Sequence, residues 1–299
     1  MGTRGSKLAL AQSSWVARHI EKIHPGVKVE TVVIKTSGDF LGIRYGVSPT
    51  PDPATPAPAG MKGLFVKEIE EALLGGTIDF AVHSAKDLPE ALAPGLSVAA
   101  FPEREDPRDA WIGRGGLSWV ELPESATIAT ASLRRQIQLR AAKPGLQAVS
   151  IQGNVDTRLK KLEEGAADGL ILALAGLRRL GLAAVKAEPL SPELCVPSPG
   201  QGALAVEVRS DREDAAAIVS RLDHAATRAE VELERGLARV FGGGCRTPFG
   251  ALARSEQGGM SVRLFHARPD GTRPVRWSGR CGAQEPSQAF ATGLAKRLL

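Results

Sequence analysis

Residues 77–89 read TIDFAVHSAKDLP. The first eight have strand character, and Ser84, Lys86 and Asp87 stand where that strand ends. The segment before it, GLFVKEIEEALLGG (63–76), spaces Phe65, Ile69 and Leu73 at i, i+4 and i+8 and stops at Gly75-Gly76, which predicts a helix with a glycine terminus. A helix feeding a strand with polar and charged residues at its end predicts an open α/β sheet, where ligands bind beyond the carboxyl ends of strands.

Upstream, residues 6–23 place Leu8, Trp15, Val16, Ile20 and Ile23 on one helical stripe, and VKVETVVIKT (27–36) reads as a strand. Downstream the pattern restarts. TIATAS (127–132) predicts a strand and SLRRQIQLRAA (132–142) a helix; LQAVSIQG (146–153) predicts a strand, NVDTRLKKLEEG (154–165) a helix capped by Asn154, and GLILAL (169–174) a strand. The alternation predicts mostly parallel sheets. Between the blocks, FPEREDPRDAW (101–111) reads as a crossover, and the Pro-rich PLSPELCVPSPGQG (189–202) closes the second block. A long helical pattern at 224–241 then precedes three strand-like runs, FGALAR, MSVRLFHAR and PVRWSGR, and a last helix, predicting a small antiparallel sheet. From Pro49 to Pro58 the sequence PTPDPATPAP excludes helix and central strand; it reads equally as a surface insertion or as a lid over a cleft.

A chain of 299 residues is long enough for two or three cores, and 43% apolar with 24% charged residues is ordinary for a globular protein. No apolar run approaches the roughly 20 residues of a spanning helix, and the N-terminal residues carry no continuous apolar stretch, so the expected location is the cytoplasm, away from membranes. The three cysteines, Cys195, Cys245 and Cys281, share no close spacing, which argues against a disulfide framework or a zinc site; no metal is expected. The net charge of +5 comes from basic residues scattered singly and in pairs rather than in runs. That distribution suits a small anionic ligand held at defined points better than nucleic acid.

Arg4 precedes the first helix, Arg134 and Arg135 fall in the first turn after TIATAS, and Arg158 in the first turn after Asn154. Helix N-termini already favour anions, so arginines there are costly unless carboxylates or phosphates sit among them. One such arginine is ordinary; four at equivalent places predict a cleft that collects carboxylates. Asp87 beside Lys86 could be a surface pair, or a carboxylate aimed into that cleft as a general acid or a stabiliser of a cation. His83, alternating with Ser84, reads as a packed histidine. Cys245 follows three glycines in FGGGCRTPFG (241–250), an exposed setting in which Arg246 favours the thiolate.

With these residues in place, eight segments in order resemble the hydroxymethylbilane synthase (porphobilinogen deaminase) family: TRGSKLAL, KGLFVKEIE, AVHSAKDLP, EREDPRDA, TASLRRQ, GNVDTRL, GQGA and GGGCRTP. The resemblance implies two periplasmic-binding-protein-like (type II) α/β domains and a smaller C-terminal α/β domain with an antiparallel sheet. The expected boundaries are 1–102 with 201–220, then 108–196, then 224–299. It implies a covalent dipyrromethane cofactor on Cys245. It also implies a transferase, acting as a monomer, that joins four porphobilinogens head to tail with loss of ammonia and releases 1-hydroxymethylbilane by hydrolysis. Asp87 would be catalytic. Lys86, Ser84, Arg134, Arg135, Ser132 and Thr130 would bind the cofactor. Arg4, Ser6, Arg158, Gln152, Lys62, Phe65 and Gln201 would bind substrate, Lys62 and Phe65 from a mobile lid. The chain departs from the family at Gln152, where arginine is usual, at Pro58, near a lid lysine, and at its start, where the family's first strand normally precedes TRGSKLAL. Two alternatives stay open: a family member impaired in elongation, and a non-enzymatic small-anion-binding protein of the same fold.

Overall fold

A computed structural model describes residues 1–37, 48–49, 66–242 and 247–299. The expectations for Lys62, Phe65, Cys245 and most of the proline-rich stretch lie outside the described residues. Three sheets organise the rest. The first has the order Val32–Ile34, Gly2–Arg4, Phe80–Ser84, Leu204–Arg209, Leu96–Ala100. The second has Glu188–Pro189, Asp109–Gly113, Gly169–Ala173, Thr127–Ala129, Gln147–Ser150 and Ser48–Pro49, and the third pairs Phe249–Glu256, Gly259–His266 and Val275–Gly282 antiparallel.

The first two sheets are mixed rather than mostly parallel. Leu204–Arg209 runs antiparallel to both of its neighbours, and Asp109–Gly113 runs antiparallel to Gly169–Ala173. Both strands enter from the other sheet, without the helical crossover that a parallel strand needs. The strand expected over 27–36 shortens to Val32–Ile34, with Val32 and Val33 exposed, because only the three-residue strand Gly2–Arg4 is there to pair with it. That N-terminal strand, expected ahead of TRGSKLAL, includes its Thr3 and Arg4.

The helix Lys7–Ile23 starts where Ser6 Oγ accepts the Ala9 N–H. Val16, Ala17 and Ile20 bury against Phe80, Val82, Leu204, Val206 and Val208. Each fully buried aliphatic side chain there contributes about 1.5–3 kcal/mol. Ile23, expected on the stripe, is exposed, while Gln12 and Ser13 are buried. Their polarity is satisfied locally: Gln12 Nε2 donates to Ser84 Oγ at 2.9 Å and Ser13 Oγ to Thr3 Oγ1 at 2.7 Å. The helix therefore turns from apolar packing to hydrogen bonding as it nears the end of Phe80–Ser84. Asn154 holds the N-cap place of the helix Val155–Glu163, but its side chain makes no capping hydrogen bond.

The crossover segment 101–111 does more than pass between sheets. Arg104 forks onto Glu234 of the helix Ala225–Val240, with Nη1–Oε1 at 2.7 Å and Nη2–Oε2 at 2.9 Å. Its Nε donates to the Gln201 carbonyl at 2.9 Å. Asp109, at the far end of the same segment, is wholly buried and accepts from Arg134, Arg135 and Gln201. One short stretch thus ties the third sheet, the glycine turn at 200–202 and the second sheet together. The helices Ala225–Val240 and Ser287–Leu298 pack Leu233, Leu237 and Leu294 on the third sheet's Phe249, Val262 and Leu264.

Candidate active site

The strand Phe80–Ser84 passes into a single 3₁₀ turn, Ala85–Asp87, which presents Lys86 and Asp87 at the strand's carboxyl end. Behind the turn lies Gly200, at φ 71°, where an added Cβ would stand 3.1 Å from the Ala85 carbonyl carbon and 3.2 Å from the Lys86 nitrogen. Only glycine lets the 200–202 loop back the turn this closely. His83 packs as the sequence predicts, its Nε2 2.9 Å from Glu207 Oε2 with both side chains buried, and it borders the hollow that holds Asp87.

Two adjoining hollows open at this turn. One is lined by Arg4, Ser6, Leu8, Gln12, Ser84 and Asp87. The other shares Leu8, Gln12 and Ser84 and adds Lys86 with Ala173, Gly176, Arg179 and Gly202, so it lies between the first and second sheets. The structure thus brings Arg4, Ser6, Ser84, Lys86 and Asp87 together. Among the described residues, Asp87 forms no hydrogen bond or ion pair.

The cations divide into two kinds. Arg134 and Arg135 share Asp109: Arg134 Nη1 reaches Oδ2 at 2.8 Å and the Val196 carbonyl at 2.6 Å, while Arg135 places Nε and Nη2 on Oδ1 at 3.0 and 2.6 Å. Burial alone would raise the Asp109 carboxyl, but the two guanidinium groups hold it far below the carboxylate range. Cys195 donates its thiol to Asp109 Oδ2 at 3.4 Å, and burial with that carboxylate pushes it up to about 12.

The second kind forms no ion pair among the described residues. Burial pushes the Lys86 ammonium below its ordinary value against the opposing pull of Asp87, and Arg135 adds to the push. Arg158 is lowered by burial and then by Arg135; its Nε donates to the Gly153 carbonyl at 2.7 Å. Arg179 is pushed down to about 10 by burial against the pull of Glu105, and its Nη2 donates to the Gly202 carbonyl at 2.6 Å. Desolvated cations of this kind are relieved by an anion brought among them. A group or substrate bearing several carboxylates fits the donor set.

The remaining predicted residues support rather than line these hollows. Thr130 Oγ1 accepts the Ser132 N–H at 3.2 Å, and Ser132 holds the N-cap place of the helix Leu133–Ala142 without a side-chain capping hydrogen bond. Gln152 offers its carbonyl to Lys161 Nζ at 3.3 Å. Gln201 is buried and donates to Asp109 and to the Pro107 carbonyl at 2.9 and 2.7 Å. Sequence reasoning missed Arg179 and Asp109. Arg179 sits in the last turn of the helix Leu174–Arg179, where a basic residue is ordinary, and Asp109 looked like one more acid in a charged linker. No helix of the described residues is long and apolar enough to cross a membrane.

The protein family described as "Porphobilinogen deaminase, dipyromethane cofactor binding domain" matches over residues 1–217. The porphobilinogen deaminase of Desulforudis audaxviator is 44% identical over 299 residues, covering 100% of this chain and 93% of that protein. That of Roseiflexus sp. (strain RS-1) is 45% identical over 300 residues, covering 100% and 95%. The chain belongs to the porphobilinogen deaminase family. The matched cofactor-binding domain spans the first two sheets, where Lys86, Arg158 and Arg179 lie. Among solved structures, a substrate-binding protein of an amino acid ABC transporter is 15% identical with a TM-score of 0.36, covering 71% of this chain and 79% of that one.

Proposed function

We propose that this chain is a porphobilinogen deaminase: it condenses four porphobilinogens head to tail, loses ammonia at each addition, and releases 1-hydroxymethylbilane by hydrolysis. The observation that carries the reading is Asp87, which makes no hydrogen bond or ion pair among the described residues, in a pair of adjoining hollows that also hold the half-buried Lys86 and Arg179, neither of them ion-paired among the described residues. Each pyrrole unit brings carboxylates to such cations. When bound, the dipyrromethane group supplies a covalent primer for chain growth; Cys245 is its proposed anchor.

Within this reading Asp87 balances the positive charge that develops on porphobilinogen as its amine departs, and holds the proton that the amine needs. Lys86, Arg134 and Arg135, with Ser84, Thr130 and Ser132, hold the primer's carboxylates; among the described residues Arg134 makes its side-chain contacts through Nη1, which leaves Nε and Nη2 for them. Arg4, Ser6 and Arg158 bind the substrate chain, with Gln152, Lys62, Phe65 and Gln201 completing the set. The proposed domains are 1–102 with 201–220, 108–196 and 224–299, and the chain works as a cytoplasmic monomer. Intact mass tests the anchor: protein expressed with porphobilinogen present gains the mass of dipyrromethane, and Cys245→Ala does not. An unmodified thiol overturns the assignment, whereas primer without tetrapyrrole product selects a member impaired in elongation.

A further inference from the structure

Lys7 is the first residue of the helix Lys7–Ile23, and Asp156 is the second of the helix Val155–Glu163. Their side chains form an ion pair between positions 149 residues apart in sequence. A cation in the first turn opposes the helix dipole, and this first turn has no acidic residue of its own to offset it. Asp156 supplies the missing anion from another unit of the fold. The pair thereby joins two helix N-termini that face each other from the first and second sheets.

What flanks the pair gives it a role. Three residues before Lys7 is Arg4, and Ser6 adjoins it; both line the hollow that holds Asp87. Two residues after Asp156 is Arg158, half-buried and without an ion pair among the described residues. The two units also meet at Leu8, which adjoins Lys7 and lies against Gly176, and at the crossover, where Arg178 Nη1 reaches Glu105 Oε1 at 2.7 Å. Lys7–Asp156 is therefore a contact set directly between the anion-binding ends of two helices. Its side chains are 75% and 42% exposed, which makes the pair weak, open to salt, and able to part and re-form.

We propose that Lys7 and Asp156 are positioning residues: their ion pair sets the spacing between Arg4 and Ser6 on one unit and Arg158 on the other. The proposal rests on the porphobilinogen reading of the cleft. It assigns neither residue to the reaction itself, and predicts an effect on binding that vanishes when the pair is rebuilt with its charges exchanged.

The experiment uses the full chain and porphobilinogen. Lys7→Gln and Asp156→Asn should each raise KM about threefold while kcat stays within about twofold, the range expected of an exposed pair. The double variant should be no worse than either single one, because both remove the same interaction. Lys7→Arg and the exchanged pair Lys7→Glu with Asp156→Lys should return KM toward the wild-type value. The ratio of variant to wild-type KM should fall toward unity at about 1 M salt, where the screening length is near 3 Å. In the ligand-free chain, amide deuterium exchange at residues 4–9 and 153–158 should quicken in the single variants and slow again in the exchanged pair. Additive losses, a charge exchange that rescues nothing, or unchanged amide exchange would overturn the proposal. A wild-type chain without turnover would instead count against the activity, and amide exchange would still decide the pair.

Discussion

Glu234 Oε2 accepts the Gly200 N–H at 2.6 Å, so the long helix of the C-terminal unit grips the loop that backs the Ala85–Asp87 turn. The same carboxylate takes the fork of Arg104 and, through Oε1, the Ala253 N–H at 2.8 Å. A single buried side chain thus fixes the crossover, the third sheet and the glycine loop, and through Gly200 it bears on Ala85 and Lys86. Placement of Lys86 and Asp87 is accordingly a property of all three units.

Gly200→Ala tests that linkage. Alanine at φ 71° costs about 1–2 kcal/mol of backbone strain, and its Cβ would press on the Ala85–Lys86 peptide. Stability should drop by that order in thermal melts. Turnover should drop further, roughly tenfold or more, because the turn carrying Asp87 must shift. Equal activity per folded molecule would refute the coupling.

Asp109→Asn should destabilise more. The substitution leaves Arg134 and Arg135 sharing a neutral amide in a buried place, a loss of about 3–5 kcal/mol. The folded Asp109 carboxyl is held far below its ordinary 3.8, so its contribution is complete above that value and is lost as pH falls through the folded one. The gap in melting temperature between wild type and variant should stay constant from about pH 8 to pH 5 and narrow below about pH 4. A gap that instead widened toward acid would contradict the sign of the shift.

The sequence made the elements readable where packing agrees with period. Ile69 and Leu73, spaced for a helix, are both buried on the helix Lys67–Leu74, and the three antiparallel runs of the C-terminal unit appear where they were expected. Ile23 and Gln12 show the limit: one is apolar and exposed, the other polar and buried, because the helix meets a site at one end and solvent at the other. Strand direction was illegible, since nothing in LAVEVR (204–209) says that it returns between Phe80–Ser84 and Leu96–Ala100. The arginines were visible but their partners were not. Asp109 pairs with residues 25 and 26 positions away, and a linear pattern does not reveal whether an arginine meets an acid or waits for one.

Arg158→Gln and Arg179→Gln separate those two states. Each arginine carries a desolvated charge that forms no ion pair among the described residues, so neutral replacement should leave the ligand-free chain about as stable. Loss of a charged hydrogen bond to a substrate carboxylate should weaken binding by about 1.5–3 kcal/mol, a rise in KM of roughly 10–150-fold. Melting curves beside steady-state kinetics check both halves. A marked fall in stability with little change in KM would make these arginines struts of the fold.

Asp87→Asn sets the sharpest contrast between fold and chemistry. The carboxamide matches the carboxylate in size, and among the described residues Asp87 makes no hydrogen bond or ion pair that the change would break. Thermal stability should therefore stay within about 1 kcal/mol, the most that losing its attraction to the Lys86 ammonium removes. An amide neither carries a negative charge nor holds a transferable proton, so kcat should fall by about 10²–10⁴, the usual contribution of a positioned acid or base. KM should move less than kcat, because Lys86, Arg158 and Arg179 remain to bind carboxylates. If the Asn variant turned over porphobilinogen at a near-normal rate, another group would have to balance the developing charge, and the hollow lined by Arg4, Ser6 and Asp87 would be a binding surface only.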